Sequence, residues 1–189
     1  MNILHISTTD YGGAAQATRR IHDGLCKEGI NSKWLVLINK KKGLKEIYHF
    51  GSKNLIDKTN TYFKTAIYYY LNKIKLIGHS NQYEIFTSPY SAFSIVNHEL
   101  YEWADIIHLH WTSHLLNYTE LSKVDKPIVW TLNDMEPFTG GCHHSFTCHK
   151  FESDCSHCPQ LTSTMFSNNA RKYLDIKKRS VKKVRNISI

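Results

Sequence analysis

Four short, almost unbroken apolar runs decide what this chain can fold into. They are Ile3-Leu4-His5-Ile6-Ser7, Trp34-Leu35-Val36-Leu37-Ile38, Asp105-Ile106-Ile107-His108-Leu109-His110-Trp111 and Pro127-Ile128-Val129-Trp130-Thr131-Leu132. Each is too short for a buried helix and too continuous for a sheet with one wet face. Such runs suit the strands of a parallel sheet covered on both sides. Helical patterns lie around them: Ala14 to Glu28, with Ala17, Ile21 and Leu25 on one face and Gly29 as its stop, then Leu55 to Ile77, Ile95 to Trp103, Leu115 to Val124 and Asn169 to Val184. Ile47 to Phe50 and Glu84 to Thr87 read as further short strands, and Ile187-Ser188-Ile189 opens a last one. Strands alternating with helices predict an α/β fold, a Rossmann-like, doubly wound and mostly parallel sheet, in one domain over residues 1–189.

Open sheets of this kind bind ligands outside the carboxyl ends of their strands. The residues just beyond each run are therefore the candidates. The first run leads into Thr8-Thr9-Asp10-Tyr11-Gly12-Gly13, where the glycine pair permits a tight turn ahead of a helix. A helix start offers free N–H groups and a positive end to a phosphate. Many such turns bind nothing, and the chain has neither a full G-x-G-x-x-G nor a P-loop lysine. The third run ends on His108, His110 and Trp111. The two histidines share parity and face one side of the sheet, either lining a site or sitting satisfied in a core. The fourth run breaks at Asn133 and Asp134. Asp134 there can orient a substrate, brace the loop that follows or cap its own turn.

That loop, residues 133–161, opens with Gly140-Gly141 and holds Cys142, Cys148, Cys155 and Cys158 at C-x5-C-x6-C-x2-C spacing, with His143, His144, His149 and His157 among them. A loop this long needs a restraint. The four cysteines can supply it as a structural, tetrahedral zinc site. Two disulfides or unligated thiols are the alternatives.

With 24 Lys and Arg against 16 Asp and Glu, the formal charge of +8 predicts an anionic partner: a nucleotide, a membrane surface, a polyanion or nucleic acid. Lys40-Lys41-Lys42-Gly43 reads as a solvated turn. In the segment from Leu55 to Ile77, Phe63, Ile67, Tyr70, Ile74 and Ile77 form a helical stripe flanked by Lys58, Lys64, Lys73 and Lys75, beside Tyr68-Tyr69-Tyr70. Most such stripes pack on a sheet; a basic, tyrosine-rich one can also rest on an anionic membrane. No apolar run is long enough to span a bilayer, and Met1-Asn2-Ile3-Leu4-His5 lacks a basic leader, so a cytoplasmic protein is expected, with at most peripheral contact at the inner face of the membrane. The basic tail from Lys177-Lys178-Arg179 to Arg185, together with the cysteine loop, fits a zinc-stabilised interaction or nucleic-acid module less well, because aromatics are not interleaved with the basic residues. An NAD-linked enzyme would want an acid after the second run, where Asn39 and lysines follow Ile38 instead.

Three stretches carry a family resemblance. NILHISTTDYGGAAQATRRIHDGL, ADIIHLHW and KPIVWTLNDMEPFTGGCHHSFTC followed by CSHCPQL resemble the amino-terminal domain of bacterial retaining glycosyltransferases of the GT-B class, family 4 type. Those of the capsule, exopolysaccharide and lipopolysaccharide pathways, in a subgroup with a cysteine-rich insert at this place, are most similar. The resemblance implies a two-domain enzyme that moves a sugar from a nucleotide-sugar to a saccharide or lipid-linked acceptor. Its amino-terminal domain mainly binds the acceptor, and Gly12-Gly13 approaches the donor diphosphate. Two departures stand out. Asn133 occupies the position where the subgroup has a histidine before the aspartate, a residue close to the transferred sugar. No two glutamates here have the seven-residue separation of the family's donor domain, and the chain stops in a strand where the family continues. The resemblance therefore implies a domain whose carboxyl-terminal, donor-holding partner is missing and which does not transfer sugar by itself.

Overall fold

In the computed structural model, which describes residues 1–40, 45–51, 55–77, 79, 85–162, 166 and 168–189, six strands form a single sheet. They are β1 (Asn2–Thr9), β2 (Asn31–Ile38), β3 (Ile47–His49), β4 (Ile106–Leu109), β5 (Ile128–Trp130) and β6 (Ile187–Ser188). Every pairing is parallel and the order is β3-β2-β1-β4-β5-β6. The chain builds outward from β1 in one direction, then returns to lay β4 against its other side. The switch point, where open α/β sheets take ligands, is therefore the carboxyl end of β1 and β4.

The two faces of the sheet differ in chemistry. Leu4, Ile6, Leu35, Leu37, Ile107, Leu109, Ile128 and Trp130 belong to the main apolar core. Tyr101, from the helix Glu99–Trp103 (α3), and Tyr118 and Leu121, from the 3-10 helix Tyr118–Lys123, complete it. The opposite face is covered by the helix Gly13–Lys27 (α1), and its buried apolar cluster among the described residues is Ala15, Trp34 and Val36, with Ile47 partly buried against it. Polar groups share that side: the Trp34 indole donates to Ser7 Oγ at 2.8 Å, and His22 Nδ1 meets Ser32 Oγ at 2.7 Å. This explains a difference from the sequence expectation. The buried face of α1 carries Ala15, Thr18 and His22, while Ala17, Ile21 and Leu25 are half-buried, because the sheet beneath is itself polar.

Other segments differ in extent. The helix expected from Ile95 begins only at Glu99, where His98 accepts from the Leu100 amide. Of the helix expected over Leu115 to Val124, only Tyr118–Lys123 is helical, as a 3-10 rather than an α-helix, started by the Asn117 side chain accepting from the Thr119 amide. Of the strand expected at Glu84 to Thr87, Glu84 lies outside the described residues, and Phe86 forms one antiparallel bridge with Cys142. Lys41, Lys42 and Gly43 of the expected turn also lie outside them. The largest correction concerns the long helix Leu55–Lys75 (α2). Its stripe does not cover the sheet: Phe63, Ile67, Tyr70, Ile74 and Ile77 are between 55 % and 65 % exposed.

The last helix, Asn169–Val181 (α4), packs on the 3-10 helix Tyr118–Lys123. It carries Lys177, the most deeply buried charged residue among the described ones, at 1 % exposure. The Lys177 ammonium donates to the Glu136 carboxylate and to the Glu136 carbonyl, and Tyr118 OH donates to the other Glu136 oxygen at 2.8 Å. One member of the basic tail is thus an internal residue. Leaving either charge of such a pair alone strands an ion in the core. Lys177→Met is expected to cost about 3–5 kcal/mol in urea unfolding, and adding Glu136→Leu to recover most of it.

Candidate functional site

Three strand ends and their following turns meet at the switch point. Pairing of β1 with β4 continues beyond the regular strands, with the His110 amide donating to the Ile6 carbonyl at 3.0 Å and the Thr8 amide to the Trp111 carbonyl at 2.8 Å. The chain then enters α1 through Gly12, whose φ of 87° favours glycine and which caps the helix without a side-chain hydrogen bond. A Cβ on Gly12 or Gly13 would meet nothing within 4 Å. The protein itself leaves the space beside the two glycines open, at the end of a helix whose first-turn amides have no partner within the helix. Asp10, buried beside the turn, accepts from the Lys40 amide at 2.9 Å and ties the end of β1 to the exit of β2.

Asp134 holds the neighbouring ends together. Its Oδ2 accepts from the Trp111 indole at 2.8 Å and from His143 Nδ1 at 2.6 Å, and its Oδ1 accepts from the Glu136 amide at 2.9 Å. The other ring nitrogen of His143, Nε2, lies 2.8 Å from Thr87 Oγ1. Thr87 Oγ1 also lies 2.7 Å from Ser113 Oγ, and Thr8 donates to the Ser113 carbonyl. Burial pushes the Asp134 carboxyl up, but the bond from His143, its charge, the Glu136 amide and the Trp111 indole outweigh that and lower it overall. Asp134 therefore braces the cysteine loop and positions Trp111. Its neighbour Asn133 is exposed at the edge.

His108 and His110 turn away from the edge into the polar face, where they meet His5. His5 Nδ1 lies 2.9 Å from His110 Nε2, and His108 Nε2 lies 2.9 Å from Thr131 Oγ1. Among the described residues, these three histidines are the set whose ligand atoms all lie within 4.8 Å of one another, an array of imidazoles able to chelate a transition ion. His110 is 2 % exposed, so it forms part of the floor of the site rather than its surface. Burial, helped by the neighbouring rings, drops His5 to about 2; burial and His108 drop His110 to about 3; burial lowers His108 as well. The shared bond between His5 and His110 leaves His5 Nε2 and His110 Nδ1 buried without partners. The histidines are core residues, but not fully satisfied ones.

The cysteine loop forms a second small core. Phe86, Cys142, Cys155 and Leu161 pack with Ala170, Tyr173 and Leu174 of α4. Gly140 and Gly141 allow this: a Cβ on Gly140 would stand 2.5 Å from the Ala170 carbonyl oxygen, and one on Gly141 2.5 Å from that of Thr87. Cys142, Cys148, Cys155 and Cys158 line one cavity, and all five cysteines are free thiols, so the disulfide alternative is not formed. Burial raises the thiols of Cys142 and Cys155 and takes Cys158 to about 11. The four sulfurs do not offer a converging set of three as the histidines do.

The structure thus brings Gly12, Gly13, Trp111, Asn133 and Asp134 to one edge, sets His108 and His110 beneath it, and places the four cysteines behind Asp134. Sequence reasoning left out His5, Thr87 and Ser113, and named His143 only among the histidines of the cysteine loop. His5 had a usable signal, since it alternates with Ser7 as His108 does with His110, and it pairs directly with His108 across β1 and β4. Compared with protein-family models, with curated proteins and with solved structures, the chain matches none of them.

The histidine cluster makes a signed prediction. Unfolded imidazoles take up protons below about pH 6.5, which the folded rings refuse. Their stabilisation is complete above that pH and is lost as pH falls toward about 3 for His110 and about 2 for His5. Each contributes a slope of up to about 1.4 kcal/mol per pH unit. Urea midpoints are expected to fall steadily below about pH 6.5, and a His5→Met/His110→Met variant to flatten that fall.

Proposed function

We propose that the chain is the acceptor-side domain of a glycosyltransferase, serving transfer of a sugar from a nucleotide-sugar to a saccharide or lipid-linked acceptor. The observation that carries this reading is the open glycine turn at the switch point, with Trp111 and Asn133 on the same edge. Gly12 and Gly13 would present the free amides of α1 to a diphosphate, a role that asks for close approach and no side chain. Asn133 can both donate to and accept from a sugar hydroxyl. It has no charge to offer, so proton transfer is not among its roles. Asp134 acts through Trp111 and His143, fixing the indole as a platform at the edge.

Transfer of this kind holds donor and acceptor together between two domains. The domain tested alone is therefore expected to bind without turnover. Ligand-observed NMR with a panel of nucleoside diphosphate sugars and oligosaccharides should show saturation transfer from the purified chain, lost in Gly13→Val and weakened in Asn133→Ala. No contact with any member of the panel, or contact unchanged in both variants, would overturn the reading. Turnover by the chain alone that the glycine change abolishes would show that one domain suffices.

We also propose that the cysteine loop takes zinc, on the observation that four free thiols line one cavity, from which they would have to draw together around the ion. Ligation would require their deprotonation, so occupancy should rise with pH. Protein purified without a histidine tag is expected to carry about one zinc per chain, lost in Cys155→Ser/Cys158→Ser. Metal-free protein in which every thiol titrates would remove zinc from the account and leave the loop as a packed core alone.

A further inference from the structure

α2 is oriented opposite to an ordinary surface helix. The residues it turns toward the body are Thr61, Thr65, Tyr68 and Asn72, spaced four, three and four apart, and Asn72 Oδ1 accepts from Ser88 Oγ at 2.5 Å. Its apolar residues point away. Ile56 is 76 % exposed, and Phe63, Ile67, Tyr70, Ile74 and Ile77 are each exposed by more than half. At 3.6 residues per turn the five within the helix fall on one continuous side, opposite the polar one, and Ile77 follows in the turn just beyond Lys75. Soluble monomers rarely leave so large a contiguous apolar stripe in water.

From this stripe we infer that α2 is a docking surface for an anionic lipid bilayer, lying in the plane of the interface. Charge selects that occupant. The helix contains four lysines and one acidic residue, Asp57. On a helical projection Lys64 falls on one border of the stripe and Lys73 on the other, where their stems run along apolar surface while their ammonium groups reach headgroup phosphates. Tyr62 and Tyr69, both exposed, stand near the border as well, and Lys73 lies 5.2 Å from the Tyr69 ring. Aromatic rings with a polar tip suit the depth of the headgroups. A second copy of the chain would bring these lysine borders against each other, which like charges oppose. Among the described residues no helix is long and apolar enough to cross a membrane, so the contact is peripheral. The inference stands on α2 alone and does not depend on the transfer reading.

The test is flotation of the purified full chain with vesicles of phosphatidylcholine alone and of phosphatidylcholine mixed with phosphatidylglycerol. Binding to the mixed vesicles is expected to exceed that to neutral ones by about tenfold or more and to weaken with salt. Ile67→Glu/Ile74→Glu should abolish it, and because both side chains already face water, its melting temperature and circular dichroism should match the parent. Lys64→Glu/Lys73→Glu should remove the preference for anionic vesicles. Failure of the parent chain to bind anionic vesicles, or binding by Ile67→Glu/Ile74→Glu equal to the parent, would overturn the proposal. So would a parent chain that stays off vesicles but forms a dimer in light scattering that the Ile67→Glu/Ile74→Glu change dissolves, which would assign the stripe to a second copy.

Discussion

The edge of this molecule depends on the Asp134 carboxylate. Parallel strands end side by side, but nothing in their ladder fixes the segments beyond them. Asp134 does so for two strands and a loop, through Trp111 after β4, the Glu136 amide after β5 and His143 within the cysteine loop. His143 hands the connection on through Thr87 and Ser113 to Thr8 at the end of β1. Each link satisfies a polar group that would otherwise be costly to bury. A carboxylate committed in this way has both oxygens occupied, and so the group left facing outward at this corner is Asn133.

Much of the fold was legible because a short continuous apolar run has few structural readings. All four such runs became parallel strands, and the weaker signals at Ile47 and Ile187 became the edges β3 and β6. What the pattern could not show was which side of each element is covered. For α1 the apolar stripe was the natural choice, yet the half-sheet beneath it presents His5, Ser7 and the Trp34 indole, so Thr18 and His22 turn inward. For α2 the period was read correctly and its destination was not, since helical spacing says nothing about whether a stripe finds a core. Lys177 was hidden for a different reason. Its partner Glu136 lies 41 positions away, and a lysine within a basic tail carries no local mark of burial.

The site was legible in outline. Residues after parallel strands share an edge by topology, so Gly12, Gly13, Trp111, Asn133 and Asp134 could be grouped before their contacts were known. The histidines could not be placed the same way, because side-chain direction follows parity rather than position along the strand. His5 sits within an apolar run and reads as core; only the register pairing it with His108 brings it into the cluster. The cysteine loop was legible only in part. Its polar composition suggested that it needs an external restraint, but Phe86 and the inner face of α4 lie outside the loop and supply the apolar surface it lacks.

That second core sets packing and ligation in competition. Cys142 and Cys155 are buried as small apolar groups, and the same burial that makes them useful in the core raises the thiols and holds them protonated. A metal would have to draw thiolates from contacts with Phe86 and α4, so the free energy of binding would be offset by packing lost. The histidine cluster stands on the other side of this comparison. Its rings are already neutral, the form a metal requires, and two of their nitrogens lack partners. Neutral imidazoles add no charge to the edge above them, so attraction for an anion there must come from the amides of α1 and the basic surface. Because the floor is buried and uncharged, it would screen the helix end less than water does, so an anion held there, as the proposed function asks, would feel those amides more strongly.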